Sequence, residues 1–374
     1  MTHSVSIVGT GAYLPGAPVP ADSVDKVLGT IAGMPGRVAD HAARMERAVL
    51  ARTGVRQRYY ALDPVTRAQT ETTATMAEKA IRLALAAADV DAGSIDLLVV
   101  AGPMADYACP PTSAIVQGRL GIEKCTEIEI HSNCTGTPKA IQVAFDMLRV
   151  GRYRRAAVAY TQLSSVFLRS EYFNPEHVRL ENLALRWIMS DGAGALILER
   201  DGDGIELVDT HIESIGGLSE PGMHGFQHGS FARDSSIADR RLLTAIHESG
   251  AHHLFQDIRE VSRLAPGHLV DGVANMLKRA GIAGADVAEF VLGIPGKHFI
   301  SDALIEYFKD VVGIDPTGRY SHSAVDDFGY CGGATMLVQM DRLVRGGSLK
   351  PGDIVAAYLE ESSKWMSGGF IARA

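Results

Sequence analysis

Cysteine is scarce in this sequence, with four in 374 residues. The four are Cys109, Cys125, Cys134 and Cys331, and no two of them form a Cys-x-x-Cys pair. A disulfide framework and a zinc site built from thiolates both need more cysteines at closer spacing, so the sequence argues against each of them. We expect every cysteine to be either a buried thiol or a reactive one, and we predict no metal site.

The sequence also lacks long blocks of Lys and Arg and long apolar runs. Its formal net charge of -8 disfavours binding to the phosphate backbone of nucleic acids, so no nucleic-acid partner is expected. Apolar runs such as Leu97 to Ala101 are far shorter than the roughly 20 residues that cross a bilayer, and the N-terminus has no cationic signal segment. We therefore expect a cytoplasmic protein with no membrane partner.

What the sequence does contain is the balance of a folded protein, with 46% hydrophobic and 21% charged residues. Its length allows two packed domains or one large duplicated domain. Short runs rich in Val, Ile and Leu alternate with helical patterns, which is typical of parallel strands joined by crossover helices. The predicted fold class is α/β.

Two segments of the first half recur in the same order in the second half. The helix, turn and strand pattern of Met76–Pro103 returns at Leu269–Pro295. The turn, helix and strand pattern of Asn133–Tyr160 returns at Gly329–Tyr358. Gly329 falls where Cys134 stands, so only the first copy carries the thiol.

The two halves are predicted to span residues 1–200 and 201–374. A stretch at about 216–268 is rich in Gly, His, Asp and Arg and has no counterpart in the first half. We interpret it as an insertion that is helical around Ala238 to Ile246 and His253 to Val261. Such an insertion is expected to cap a pocket.

Cys134 lies between a strand pattern and a helix pattern. The segment from Thr126 alternates polar and apolar residues, and Pro138 suits the first turn of a helix. Unpaired N–H groups and the dipole at a helix N-terminus stabilise a thiolate, so we expect the pKa of Cys134 to be lowered. A sharp turn from strand to helix also exposes a nucleophile. A small buried cysteine is the alternative, but the strand, turn and helix context favours the nucleophile.

Motifs along nearly the whole chain resemble the ketoacyl synthase III branch of the thiolase superfamily. They are Ile7-Val-Gly-Thr-Gly-Ala-Tyr-Leu-Pro, Arg52-Thr-Gly-Val-Arg-Gln-Arg, Asp96-Leu-Leu-Val-Val-Ala-Gly, Asn133-Cys134-Thr-Gly, Ser190-Asp-Gly-Ala-Gly-Ala and Leu349 to Ile354. The resemblance implies a thiolase-like duplicated five-layer αβαβα fold and a homodimer that pairs through the first-half sheet. It also implies a coenzyme A or acyl-carrier-protein phosphopantetheine thioester as substrate, with no permanently bound cofactor.

Carried over by position, Cys134 resembles the acylated nucleophile, and its own N–H resembles one half of the oxyanion hole. Arg52 resembles the arginine that contacts the nucleotide part of coenzyme A. The Trp that stacks on the adenine in the family is replaced by Ala48 in this chain. This replacement makes a carrier protein more plausible as the donor.

The chain departs from the family pattern at the other catalytic positions. Gly293 and Gly296 stand where the family has a catalytic His and a nearby Asn, and Tyr330 replaces the second Asn. The glycine-rich strip that supplies the other oxyanion N–H reads Ser362-Ser-Lys-Trp-Met-Ser-Gly-Gly. The nearest imidazole is His298, and its spacing to Asp327 predicts a triad of Cys134, His298 and Asp327 that is suited to plain acyl transfer. Against this, both residues can simply border a helix or a turn.

Three functional hypotheses stay open on the sequence. The first is an acyltransferase that loads Cys134 and passes the acyl group to a carbon, hydroxyl or amine acceptor in specialised, polyketide-like or fatty-acid-like metabolism. The second is a standard decarboxylative 3-oxoacyl-carrier-protein synthase III. The third is a non-catalytic partner subunit of a heterodimeric condensing enzyme, which the missing His and Asn would allow. The presence of Cys134 in its turn favours an enzyme.

Overall fold

A computed structural model describes residues 2–225, 240–296, 299–320 and 323–374. Within these residues the strands are β1 (Val5–Tyr13), β2 (Val19–Pro20), β3 (Gln57–Arg58), β4 (Leu97–Gly102), β5 (Thr126–His131), β6 (Arg155–Gln162), β7 (Gly192–Arg200), β8 (Ile205–Ser214), β9 (Met223–His224), β10 (Phe255–Gln256), β11 (Val287–Leu292), β12 (Ile354–Glu361) and β13 (Met366–Arg373). The helices are α1 (Val24–Leu28), α2 (Gly36–Thr53), α3 (Thr73–Ala88), α4 (Thr112–Leu120), α5 (Gly136–Arg149), α6 (Ser165–Leu168), α7 (Leu180–Leu183), α8 (Arg240–Glu248), α9 (Ile258–Ala280), α10 (Asp302–Val312), α11 (Ser323–Asp326) and α12 (Ala334–Arg345).

The main sheet has nine strands in the order β11-β12-β13-β8-β1-β7-β6-β4-β5. In the first half, β4 is parallel to β6, β6 is antiparallel to β7, and β7 is antiparallel to β1. In the second half, β11, β12, β13 and β8 follow one another with the same three senses of pairing. The strand pairing therefore repeats as the duplicated sequence predicts. Residue 200, where the first half is predicted to end, is the last residue of β7, and the division into two halves stays a prediction.

Helices and sheet alternate in layers around three hydrophobic clusters. Helix α3 packs on one face of the first-half strands through residues such as Ala80, Ile81 and Ala84. Helices α5 and α12 share the central cluster with strands of both halves. Helices α9 and α10 cover the outer face of the second-half strands. The predicted α/β class is confirmed, with α5 and α12 at the centre.

The apolar stripe of α5 explains its central place. Ile141, Ala144, Phe145 and Leu148 recur at helical spacing, and all four are buried. Burying each larger side chain of this kind contributes about 1.5–3 kcal/mol relative to leaving it in water. This packing fixes α5, and therefore the turn that leads into it, between the two halves.

The inserted stretch contributes two helices. Helix α8 lies where the first was predicted, although Ala238 is outside the described residues. The prediction of a helix over His253 to Val261 is wrong at its start, because α9 begins at Ile258. The side chain of Asp257 accepts a hydrogen bond from the N–H of Glu260 at 3.0 Å and so caps the helix there.

Candidate active site

One cavity of about 290 Å³ combines residues of both halves and of the insertion. Cys134 comes from the first half, and Tyr330 and Glu360 come from the second. Most of the walls are apolar, and they include Met45, Val49, Phe167, Leu185, Ile188, Met223, Leu254, Ile258, Val261, Ile294, Phe299 and Leu304. Residues of the stretch at about 216–268 therefore form part of the wall, and its role as a cap stays a prediction.

Cys134 occupies the predicted turn between strand and helix. β5 ends at His131 and α5 begins at Gly136. The N–H of Gly136 donates to the carbonyl oxygen of Asn133 at 2.8 Å, and this bond closes the turn. The turn projects the Cys134 side chain into the cavity.

The thiol of Cys134 contacts a phenol from the second half. Its Sγ lies 3.1 Å from the hydroxyl oxygen of Tyr330, on the turn before α12. Burial and the neighbouring thiol raise the pKa of Tyr330 well above its usual value, so this hydroxyl stays protonated at neutral pH. The O–H of Tyr330 is therefore placed to donate a hydrogen bond to the sulfur once the sulfur carries charge.

The N-terminus of α5 is occupied by a carboxylate from β12. Glu361 is buried, and its Oε2 accepts a hydrogen bond from the N–H of Thr135 at 2.8 Å and another from the Thr135 hydroxyl. The Ser132 hydroxyl also donates to it at 3.3 Å. A carboxylate at this position is stabilised by the unpaired N–H groups and by the helix dipole. Glu361 thus holds the cysteine turn in place across 226 residues of sequence.

The expectation of a lowered Cys134 pKa is wrong. Burial, and after it the charge of Glu361, raises the pKa of the Cys134 thiol to about 12. The hydrogen bond with Tyr330 acts in the opposite direction but is the smaller effect. The physical reason is that the thiol is buried away from water, and that the helix N-terminus expected to stabilise a thiolate binds the Glu361 carboxylate instead. In the resting protein Cys134 is therefore a neutral thiol.

A second glutamate of β12 faces the same cavity. Glu360 lines the cavity, and its Oε1 is shielded from solvent without a hydrogen-bond partner. Burial, with the charge of Glu361 as the second cause, raises the pKa of Glu360 to about 8. Sequence analysis missed both glutamates. The signal was present, since two adjacent acidic residues end an apolar strand that begins Ile354-Val-Ala-Ala.

Arg52, predicted to contact the nucleotide part of coenzyme A, lies on the wall of the cavity. Its guanidinium carbon is 5.1 Å from the centre of the Phe299 ring, which is a cation–π contact. A cation on the cavity wall is suitably placed for a phosphate group of an incoming donor. The role of Arg52 stays a prediction.

The described residues do not bring the predicted triad together. Asp327 pairs with Arg56, and its other carboxylate oxygen lies 3.8 Å from Arg342. Asp327 is not among the residues that line the cavity of Cys134. Two guanidinium groups hold its carboxylate on a partly exposed surface, where it does not meet the thiol. His298 lies outside the described residues, so its role as a base stays a prediction.

The two glycines at the family's His and Asn positions are packed too closely to carry side chains. A Cβ atom added at Gly293 would lie 2.7 Å from the Cβ of Leu359, and one added at Gly296 would lie 2.1 Å from the carbonyl oxygen of Thr53. Both separations are far inside van der Waals contact. The surrounding backbone is therefore adapted to glycine at both positions.

Comparison with known proteins agrees with this geometry. A model of the family 3-oxoacyl-[acyl-carrier-protein (ACP)] synthase III matches residues 128–216, a range that contains Cys134. The chain is 28% identical over 354 residues to acetoacetyl CoA synthase NphT7 of Streptomyces sp. (strain CL190), with 93% of this chain and 92% of the relative covered. It is 29% identical over 355 residues to a beta-ketoacyl-[acyl-carrier-protein] synthase III of Bradyrhizobium sp., with 92% and 95% covered.

The chain is thus similar to the ketoacyl synthase III branch of the thiolase superfamily, as its motifs predict.

Solved structures agree on the fold of this ketoacyl synthase III-like chain. AbyA1, a tetronic acid condensing enzyme, superposes with a TM-score of 0.78 at 23% identity, with 99% of this chain and 100% of that chain covered. The predicted thiolase-like fold is confirmed. In the described part of the ketoacyl synthase III-like chain, no helix has both the length and the apolar character that a membrane span requires.

Proposed function

We propose that the protein is an acyltransferase of ketoacyl synthase III type. An acyl group arrives as a coenzyme A or acyl-carrier-protein thioester, is loaded on Cys134, and is passed to a carbon, hydroxyl or amine acceptor. The observation that carries this proposal is the placement of Cys134 at the wall of a largely apolar cavity, in contact with Tyr330. Its relatives include an acetoacetyl CoA synthase and a beta-ketoacyl-[acyl-carrier-protein] synthase III, and their names favour a role in polyketide-like or fatty-acid-like metabolism.

The chemistry of loading follows from these groups. The sulfur of Cys134 attacks the thioester carbonyl and forms a tetrahedral intermediate. Collapse of this intermediate leaves the acyl group on Cys134 and expels the donor thiol. The Tyr330 hydroxyl stabilises the sulfur as charge develops on it. The apolar walls accommodate an alkyl chain and keep water away from the thioester.

The choice of acceptor follows from what the site has in place of the usual His and Asn. That pair stabilises the enolate formed when a malonyl thioester loses carbon dioxide. Gly293 and Gly296 offer no side chain for this purpose. Acyl transfer to an acceptor that a base can activate is therefore favoured over decarboxylative extension.

The direct test is the mass of the intact protein after incubation with acyl-coenzyme A and acyl-carrier-protein thioesters, from acetyl to dodecanoyl. We expect one acyl group per chain, with a preference for chains that fill the apolar walls. Peptide mapping should place the group on Cys134. A protein that takes no acyl group from any donor would instead be the non-catalytic partner subunit of a condensing enzyme.

We also propose that the protein is a homodimer. In the part of the chain that the structure describes, β5 ends the nine-stranded sheet, and a strand edge of this kind is suited to pairing with a second copy. Light scattering at micromolar concentration should give about twice the chain mass of 40.0 kDa. A mass equal to one chain would contradict this proposal.

A further inference from the structure

Glu360 has no part in the chemistry described so far, although it lies close to the nucleophile. When Glu360 is ionised, its charge raises the pKa of both Cys134 and Tyr330, and all three side chains line one cavity. The neighbouring Glu361 accepts a hydrogen bond from the Thr135 N–H at the N-terminus of α5, and the Tyr330 hydroxyl is in hydrogen-bond contact with the Sγ of Cys134. Glu360 keeps an oxygen without a partner in the described residues.

Its surroundings favour the neutral form of this carboxyl. Burial and the Glu361 charge both oppose ionisation and raise the pKa to about 8. Among the described residues, the other titratable or charged groups that line the cavity are Cys134, Tyr330, Glu361 and Arg52, and Tyr358 lies on the same strand. Arg52 does not offset the two causes that oppose ionisation. Glu360 therefore carries a proton at neutral pH and can donate a hydrogen bond.

We propose that Glu360, which lines the cavity beside Cys134 with a buried and unpartnered Oε1, is a further catalytic residue whose carboxyl donates a hydrogen bond to the carbonyl oxygen of the donor thioester while Cys134 attacks it. This inference rests on the proposed acyl transfer. A carboxylic acid kept neutral by an apolar site is an effective donor to an oxyanion, because its proton is already in place when charge develops.

The step balances without any further reactant. The bond between Sγ and the carbonyl carbon forms, and the carbon–oxygen π electrons move onto the oxygen. The oxyanion accepts hydrogen bonds from Glu360 and from the N–H of Cys134. As the carbonyl re-forms, the bond between carbon and the donor sulfur breaks. The proton lost by the Cys134 thiol ends on the departing sulfur, and Glu360 keeps its own proton throughout.

The test is an active-site burst with p-nitrophenyl octanoate, an activated ester that needs no recognition of coenzyme A or of a carrier protein. The wild type, Glu360→Gln and Glu360→Ala are compared from pH 6 to about pH 9, with Cys134→Ala supplying the background. Glu123→Gln and Glu123→Ala are matched controls, because Glu123 is an exposed glutamate away from the cavity.

We expect Glu360→Gln to stay within about threefold of the wild type at pH 7, because an amide N–H also donates, and Glu360→Ala to be about tenfold slower or more. The wild-type rate should rise with pH and then flatten near pH 8, as Glu360 loses its proton, whereas the Glu360→Gln rate should keep rising.

Two results would contradict the proposal. A Glu360→Gln protein as slow as Glu360→Ala would show that the carboxylate acts as a base, and a Glu360→Ala protein as fast as the wild type would show that Glu360 has no role in loading. Either result overturns the proposal.

A second measurement does not depend on catalysis. The pKa of Glu360 is raised in the folded chain, so the contribution of Glu360 to stability is fully present below the ordinary glutamate pKa and is lost as the pH rises through about 8. Urea unfolding of the wild type and Glu360→Gln should therefore shift in favour of the variant over this range. A stability difference that does not change with pH overturns the proposal.

The proposed function and this inference can fail separately. If no thioester donor acylates the protein, but the burst with p-nitrophenyl octanoate still depends on Glu360, the proposed donors are refuted and the role of Glu360 stands.

Discussion

Cys134→Ala is expected to abolish loading of an acyl group from every thioester donor, and with it all turnover. The reason is that Cys134 is the one cysteine among the described residues that line the cavity, and a thiol is a far stronger nucleophile than the serine hydroxyls beside it. Intact-protein mass and release of the donor thiol both measure this loss.

The other cysteines supply the controls for this prediction. Cys331 is buried with a pKa raised far above its usual value, and Cys109 is exposed at the start of the segment before α4. Cys109→Ala should load and turn over as the wild type does. An acyl group on Cys109, or turnover that survives Cys134→Ala, would contradict the assignment of the nucleophile.

His298→Ala is expected to leave acylation of Cys134 intact but to slow transfer to the acceptor by about 100-fold or more. This is the usual contribution of a positioned general base, and the expected task of His298 is to deprotonate the acceptor. Rapid-quench mass spectrometry separates the two steps, because the acyl-enzyme should accumulate in the variant. The wild type should also decarboxylate a malonyl thioester poorly when no acceptor is present.

Asp327→Asn is the informative companion of His298→Ala. The salt bridges of Asp327 to Arg56 and Arg342 predict that this variant transfers the acyl group nearly as fast as the wild type. Slow transfer by Asp327→Asn would instead show that Asp327 orients His298. Normal transfer by His298→Ala, or brisk decarboxylation by the wild type, would remove His298 from the mechanism. The protein would then belong with the standard decarboxylative synthases.

The features that could be predicted from the sequence are those set by local periodicity. The alternation from Thr126 and the helical spacing from Ile141 to Leu148 placed the strand, the turn and the helix around Cys134 within a few residues. The duplicated segments predicted the repeated strand pairing for the same reason, since each copy specifies its own elements. Local patterns of this kind depend only on residues that are near one another in sequence, so they can be recognised without knowledge of the tertiary contacts.

The electrostatics of the site could not be predicted in this way. The pKa of Cys134 depends on its burial and then on the charge of Glu361, which is distant in sequence and reaches the cysteine turn through its hydrogen bond to Thr135. The spacing of His298 to Asp327 gave no sign that Arg56 would bind the carboxylate. Charge partners across a fold are set by tertiary packing, and one sequence does not reveal them.

The bond between Glu361 and the turn of Cys134 has a consequence for biosynthesis. The nucleophile lies in the first half, but the carboxylate that fixes its turn follows Thr135 by 226 residues, and the contacting phenol of Tyr330 follows Cys134 by 196 residues. A nascent chain emerges from its N-terminus and folds in that order. Cys134 therefore leaves the ribosome long before the groups that organise it, and a growing or truncated chain cannot carry a completed site.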